Sequence, residues 1–218
     1  MKRLFLALIL IVSLLGIVRA EENVTISNET QAIYDAIEKH SVQIVSLNPE
    51  GEFCSGTILS NEKNAKVLTC KHCIIPTEET WADDLKAKTV ITSTSDDLAI
   101  LIMNGIYVNK IPAKIAFYKE PLKKDVYFYG QPGMTIRFPS TGKIIRYTDD
   151  WGWAEMPIVP GCSGSGLYNE DKELVGVVWG KMVEGGQGFF NAGGTDIAVF
   201  ESLYDIRKFL REVEQILK

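Results

Sequence analysis

The sequence predicts an all-β chain, a barrel or a sandwich, with one helix before the strands and one after them. Three observations predict it. Short runs of β-branched and aromatic residues recur along the middle of the chain, turn-forming clusters separate them, and helical spacing of apolar residues is confined to the flanks. The runs are 42–47, 56–59, 66–69, 98–102, 126–129, 143–147 and 175–179. Asn48 to Gly51, Gln131-Pro132-Gly133 and Glu184 to Gly188 read as the turns or loops between them.

The first twenty residues stand apart from this pattern. Lys2 and Arg3 precede an apolar run from Leu4 to Val18, and Val18-Arg19-Ala20 closes it as a signal-peptidase site does. The run is short for a bilayer crossing, so cleavage after Ala20 is expected over retention as an anchor. Cleavage leaves 198 residues and moves the formal net charge from -5 to -8, because three basic residues and no acidic ones depart. The expected location is secreted or periplasmic. An acidic chain without a basic, aromatic-interleaved cluster excludes nucleic acid as an expected partner.

Ser27 reads as the cap of the first helix, with Ala32, Ile33, Ala36 and Ile37 on one face and an end near His40. A cation at that carbonyl end is unremarkable. From Glu201 to Lys218, Leu203, Ile206, Phe209, Leu210, Val213, Ile216 and Leu217 fall three or four apart and mark the second helix. It is expected to pack on the second half of the β structure.

Export places the four cysteines where disulfides persist. Four cysteines allow three pairings, and Cys54 and Cys73 bracket the strand-turn-strand that carries His72, which favours their bridge. A loop of that size stabilises a fold by about 3 kcal/mol. Cys70 and Cys162 are left either as a second bridge or as buried free thiols. No metal is expected, since Cys70 and Cys73 have no second matching pair. No cofactor is expected either. Gly185-Gly186-Gln187-Gly188 lacks the Lys-Ser or Lys-Thr of a phosphate loop, and the acidic pairs at 78–79, 83–84 and 149–150 lack calcium-loop spacing.

The chemistry resides in three short segments. Thr69-Cys70-Lys71-His72-Cys73, Ser95-Asp96-Asp97-Leu98 and Pro160-Gly161-Cys162-Ser163-Gly164-Ser165-Gly166 supply a histidine, an aspartate and a glycine-flanked serine in that order. A serine hydroxyl is a weak nucleophile until a neutral imidazole takes its proton, and the imidazole needs a carboxylate on its other nitrogen to fix its tautomer. Asp97 is the expected carboxylate because it leads the apolar run 98–101; Asp96 is its rival. Gly161 leaves room for a backbone N–H to face a reacting carbonyl, and Gly164 lets the chain turn past the serine. The N–H groups of Gly161 and Ser163 are the expected oxyanion donors.

These segments, with Phe53 to Leu59, Lys124 to Gly133, Ile158 to Gly166 and Leu174 to Gly180, resemble the chymotrypsin-like serine peptidases, and most of all their compact bacterial and HtrA-type domains. The resemblance runs from about Val42 to Ile206. It implies two six-stranded antiparallel barrels, here 42–115 with the histidine and aspartate and 116–218 with the serine and the last helix, preceded by an extension over 21–41. By resemblance His72 is the general base, Asp97 its partner and Ser163 the nucleophile, and Cys54–Cys73 is the family's disulfide. Pro157, Ile158 and Val159 match the floor of the primary pocket, and Val178, Trp179 and Gly180 the strand that pairs with substrate backbone. None is charged, which implies an apolar or small substrate side chain.

The chain also departs from the pattern. Cys162 stands where zymogen-derived members carry an aspartate, and no Ile-Val-Gly-Gly start follows a basic residue. The implied activity is a secreted serine endopeptidase acting on polypeptides, with no stable membrane association once the signal is removed. The alternatives are a catalytically silent, protease-like binding protein and an esterase or acyl transferase using the same triad.

Overall fold

The computed structural model describes residues 26–46, 52–76, 78–133, 135–148, 151–182 and 196–217. The expected export signal, the loops read at 48–51 and 184–188 and the acidic pair at 149–150 lie outside them.

Six strands build the first barrel: β1 (Ser41–Ser46), β2 (Glu52–Ser60), β3 (Lys66–Cys70), β4 (Thr80–Ala82), β5 (Leu85–Thr92) and β6 (Leu98–Met103). They close in the order β1-β2-β3-β6-β5-β4, every pair antiparallel. Ile44, Ile58, Leu68 and Ile100 are fully buried inside it.

The second barrel follows as β7 (Lys114–Ile115), β8 (Asp125–Gly133), β9 (Ile136–Tyr147), β10 (Trp151–Glu155), β11 (Gly166–Tyr168), β12 (Glu173–Met182) and β13 (Ile197–Ser202). Its order is β11-β8-β9-β10-β13-β12, closed by the β11–β12 ladder, around Val126, Phe128, Leu167, Val178 and Phe200. Two closed six-stranded barrels are therefore present. Strand β7 is an addition, lying parallel to β12 through Glu173↔Lys114 and Leu174↔Ile115.

Each of the seven expected runs falls in a strand over its described residues. Gln131-Pro132-Gly133 does not turn, however; it continues β8, where a register shift between Gly130 and Gly133 accommodates it. A bulge is where a strand tolerates a residue with no N–H to give to the ladder.

Helix α1 (Asn28–Ile37) is capped by Ser27, whose Oγ accepts from the Thr30 N–H at 3.1 Å, and a 3-10 turn (Glu38–His40) ends it. Helix α2 (Leu203–Ile216) starts two residues later than the sequence suggests. Glu201 stays in β13 because Ser202 takes the cap, in a reciprocal capping box with Asp205. Ile206, Phe209 and Val213 of α2 join the core cluster of the first barrel, whereas Leu203 joins that of the second. The Arg207 guanidinium donates to the Ala116 carbonyl at 2.5 Å. The helix thus straddles both barrels instead of packing on the second alone. No described helix is long and apolar enough to cross a membrane.

Candidate active site

Strand β3 ends at Cys70, and a single 3-10 turn (Lys71–Cys73) lifts His72 out of the barrel wall. Asp97 stands one residue before β6, the neighbour of β3 in the sheet, so the Cys70↔Leu98 pairing brings it beside the turn. Its carboxylate accepts twice from the same residue, from the His72 N–H at 2.9 Å and from the ring Nδ1 at 2.5 Å. A carboxylate can only accept, so Nδ1 carries the proton and the neutral ring keeps Nε2 as its free base. Asp96 serves elsewhere: its Oδ2 accepts from Ser93 Oγ at 3.0 Å and Ser95 Oγ at 2.6 Å, and lies 3.5 Å from Lys208 Nζ.

Ser163 comes from the second barrel, in the turn before β11. Gly161 and Gly164 on either side have φ of +89° and +86°. A Cβ at Gly164 would lie 1.9 Å from the Ser55 carbonyl oxygen, and one at Gly161 would lie 2.6 Å from Pro132 Cα. Only glycine combines that backbone with that closeness. Ser55 of β2 clamps the turn onto the first barrel: its N–H donates to the Ser163 carbonyl at 2.7 Å and its Oγ to the Gly161 carbonyl at 2.9 Å. With those two carbonyls drawn inward, the N–H groups of Gly161 and Ser163 have no hydrogen-bond acceptor among the described residues. Free backbone donors of this kind can receive a negative oxygen.

His72, Asp97 and Ser163 line one cleft of about 880 Å³ between the barrels. Ser163 Oγ donates to the Trp179 carbonyl at 3.1 Å, so in this state the hydroxyl is not bonded to the imidazole. Of the expected pocket residues, Ile158, Val159, Trp179 and Gly180 line the cleft and Pro157 and Val178 do not. Pro157 accepts from Ser140 Oγ, and Val178 is fully buried in the second core. The sequence reading missed Trp151, whose ring meets Trp179 edge to face at 5.6 Å, and Lys181, which is paired with Asp196. It also missed Glu201, which is 2 % exposed and whose Oε1 accepts from the Asp97 N–H at 3.1 Å. An acid between an apolar strand and a helix cap carries no local signal of such a contact.

Burial, then the repulsion of Asp205, Asp96 and Asp97, pushes the Glu201 carboxyl up to about 7 from an ordinary 4.5, while the Asp97 amide opposes the rise. A carboxyl raised on folding holds its proton in the folded state. Its stabilising contribution is complete below about 4.5 and lost as the pH climbs through about 7. Thermal denaturation of Glu201→Gln should accordingly gain on the wild type between about pH 5 and about pH 8. Parallel curves would contradict the burial of the charge.

Cys54 and Cys73 are joined, with 19 residues of separation. The bridge ties the His72 turn to β2, and replacing both by serine should cost about 3 kcal/mol in urea denaturation; a loss under about 1 kcal/mol would show that the turn holds without it. Cys70 and Cys162 are free and buried in different cores. Burial holds the Cys70 thiol well above its usual range and pushes Cys162 up to about 11, so neither is a nucleophile. Two trios bring ligand-type atoms within 4.8 Å, Cys54, His72, Cys73 and Cys70, His72, Asp97. Neither suits a metal: the first spends its sulfurs on the disulfide, and in the second Cys70 keeps its proton while His72 and Asp97 bond each other. His40 lies elsewhere, its Nδ1 2.9 Å from the Ile111 carbonyl and its ring stacked on Tyr168.

Two antiparallel six-stranded barrels with a cleft between them define the chymotrypsin-like class of fold. Solved structures share it. The Rv3671c protease from M. tuberculosis, in its active form, is similar at a TM-score of 0.67 and 19% identity, over 81% of this chain and 81% of that one. Rv3671c from M. tuberculosis H37Rv in an inactive form matches at 0.67 and 19%, over 84% and 90%. The serine endoprotease from Yersinia pestis matches at 0.69 and 18%, over 86% and 67%. No protein-family model matches the sequence, and no curated protein matches it.

Proposed function

We propose that the chain is an exported serine endopeptidase in which Ser163 is the nucleophile, His72 the general base and Asp97 the residue that orients it. The observation that carries this reading is the pair of hydrogen bonds from His72 to Asp97, of which the one from Nδ1 fixes the tautomer a base needs, in the cleft that Ser163 also lines. On substrate binding the Ser163 hydroxyl turns from the Trp179 carbonyl toward Nε2 and attacks the scissile carbonyl carbon. The imidazole takes the hydroxyl proton, and the oxyanion is received by the N–H groups of Gly161 and Ser163. The imidazolium then protonates the leaving amine, an acyl-Ser163 ester remains, and water activated by His72 releases it. Catalytic hydrogen bonds are often loose in a free site and tighten when substrate binds.

Ile158, Val159, Trp151 and Trp179 give the cleft an apolar part, although Lys181, Glu201, Asp205 and Lys208 line it too, and that part supports preference for an uncharged residue before the scissile bond. Export is supported by the signal-like residues 2–20, and the disulfide fits an oxidising compartment. The bond from Ser163 to the Trp179 carbonyl favours a second reading, a protease-like binding protein whose serine is parked.

A peptide library and a panel of simple esters, each offered to wild type and to Ser163→Ala, test the proposal. The expected result is cleavage of peptides after apolar residues, lost in the variant. Ester turnover with intact peptides would make it an esterase, and no turnover of either by folded protein would favour the binding reading.

A further inference from the structure

The mechanism above leaves Glu201 without a task, although it is a buried acid facing the cleft. It reaches Asp97 from the opposite barrel. Asp97 is held at three points: its carboxylate by His72, its carbonyl by the Lys71 N–H at 3.1 Å, and its amide by Glu201 Oε1 at 3.1 Å. The first two holds come from the segment next to its own strand. Only the third, among the described residues, comes from the second barrel, which also carries Ser163.

We propose that Glu201 is a positioning residue for the reaction: it anchors Asp97 across the cleft through the backbone amide, and its ionisation sets how readily His72 accepts a proton. The inference rests on the catalytic reading above. The charged groups around Glu201 come from several elements. Asp96 and Asp97 precede β6, with Asp96 next to Lys208 of α2; Asp205 of α2 faces it, already engaged in the capping box with Ser202; the buried Cys70 thiol lies at the end of β3. The flanking strands put Trp151 and Val177 opposite it, and neither titrates.

A negative Glu201, itself buried, favours the imidazolium by attraction, so it makes His72 a stronger base and moves the acid limb of the rate profile to higher pH. Uncharged, it keeps its oxygen on the Asp97 amide, and the geometry survives. With Glu201 near neutral pH in its titration, both forms are sampled in the range where such a site works.

The test compares the pH dependence of Ser163 inactivation by a fluorophosphonate in wild type, Glu201→Gln and Glu201→Ala. Glutamine retains the acceptor and discards the charge. Its rate at alkaline pH should stay within about threefold of wild type, while its acid limb moves down by about half a pH unit or more. Alanine removes the acceptor and should lower the rate about tenfold at every pH. If alanine does not fold, the glutamine profile decides. Profiles that superimpose on wild type would overturn the inference.

A second readout does not need a working nucleophile. The proton resonance of His72 Nδ1–H should show an inflection from Glu201 in wild type that Glu201→Gln lacks. That inflection in a protein no fluorophosphonate labels would sink the catalytic reading and keep the link to Glu201. Its absence, in a protein that is labelled, would do the reverse.

Discussion

Ser163→Ala and His72→Ala should each lower peptide-bond turnover by roughly 10⁵- to 10⁶-fold, and the double variant should be hardly worse than either. The non-additivity follows from the roles. An unassisted hydroxyl is almost inert, and a base without a hydroxyl has nothing to activate, so either loss removes the same step. Asp97→Asn should cost about 10⁴-fold, because an amide that donates to Nδ1 turns the ring to the wrong tautomer. Asp96→Asn should cost little, since its carboxylate is spent on Ser93, Ser95 and Lys208. Turnover numbers measured on the five folded variants check these expectations. Equal losses at Asp96 and Asp97, or additive losses at His72 and Ser163, would contradict the assignment.

Gly164→Ala should cost on the order of 4 kcal/mol in chemical denaturation. Two penalties combine there. A φ of +86° is strained for any residue with a Cβ, and the Cβ itself would meet the Ser55 carbonyl oxygen at 1.9 Å and Thr69 Oγ1 at 2.3 Å. Thr69 Oγ1 donates to that same carbonyl at 2.7 Å, so the obstacle is held in place by β3 and cannot swing aside cheaply. Relief requires lifting the serine turn off β2 and breaking the bonds Ser55 makes to Ser163 and Gly161. A variant within about 1 kcal/mol of wild type would show that this clamp is soft.

The parts of the site legible in the sequence are those whose chemistry is local. His72 beside Cys73, Asp97 ahead of an apolar strand and Ser163 between glycines are each set by neighbours one or two residues away. The bond from Asp97 to Glu201 spans 104 residues and two barrels, and an isolated acid at a strand end gives no hint of it. Ser55 is similar: an ordinary strand serine by sequence, it is the clamp on the Ser163 turn.

Among the strands, the central, inward-facing ones announce themselves, as Leu98–Met103 does with five of its six positions buried. Strand β5 does not, because Lys86, Lys88 and most of its neighbours face solvent and its hydrophobic pattern is diluted. Strands β4 and β11 have three residues each, too few to show a period. Helix α2 was legible from its spacing, but not its position astride the barrels, since one apolar face fits either partner. Gly161 and Gly164 were legible as turn residues; that Pro132 and Ser55 crowd them was not, because crowding depends on the packing of two barrels.

Labelling the protein with a fluorophosphonate and locating the adduct by mass spectrometry tests the central claim most directly. The account predicts one phosphonyl group on Ser163, none on Ser165 or any other hydroxyl, and no labelling of His72→Ala at the same pH. Folded wild-type protein that takes up no label, or takes it up at a different residue, would contradict it.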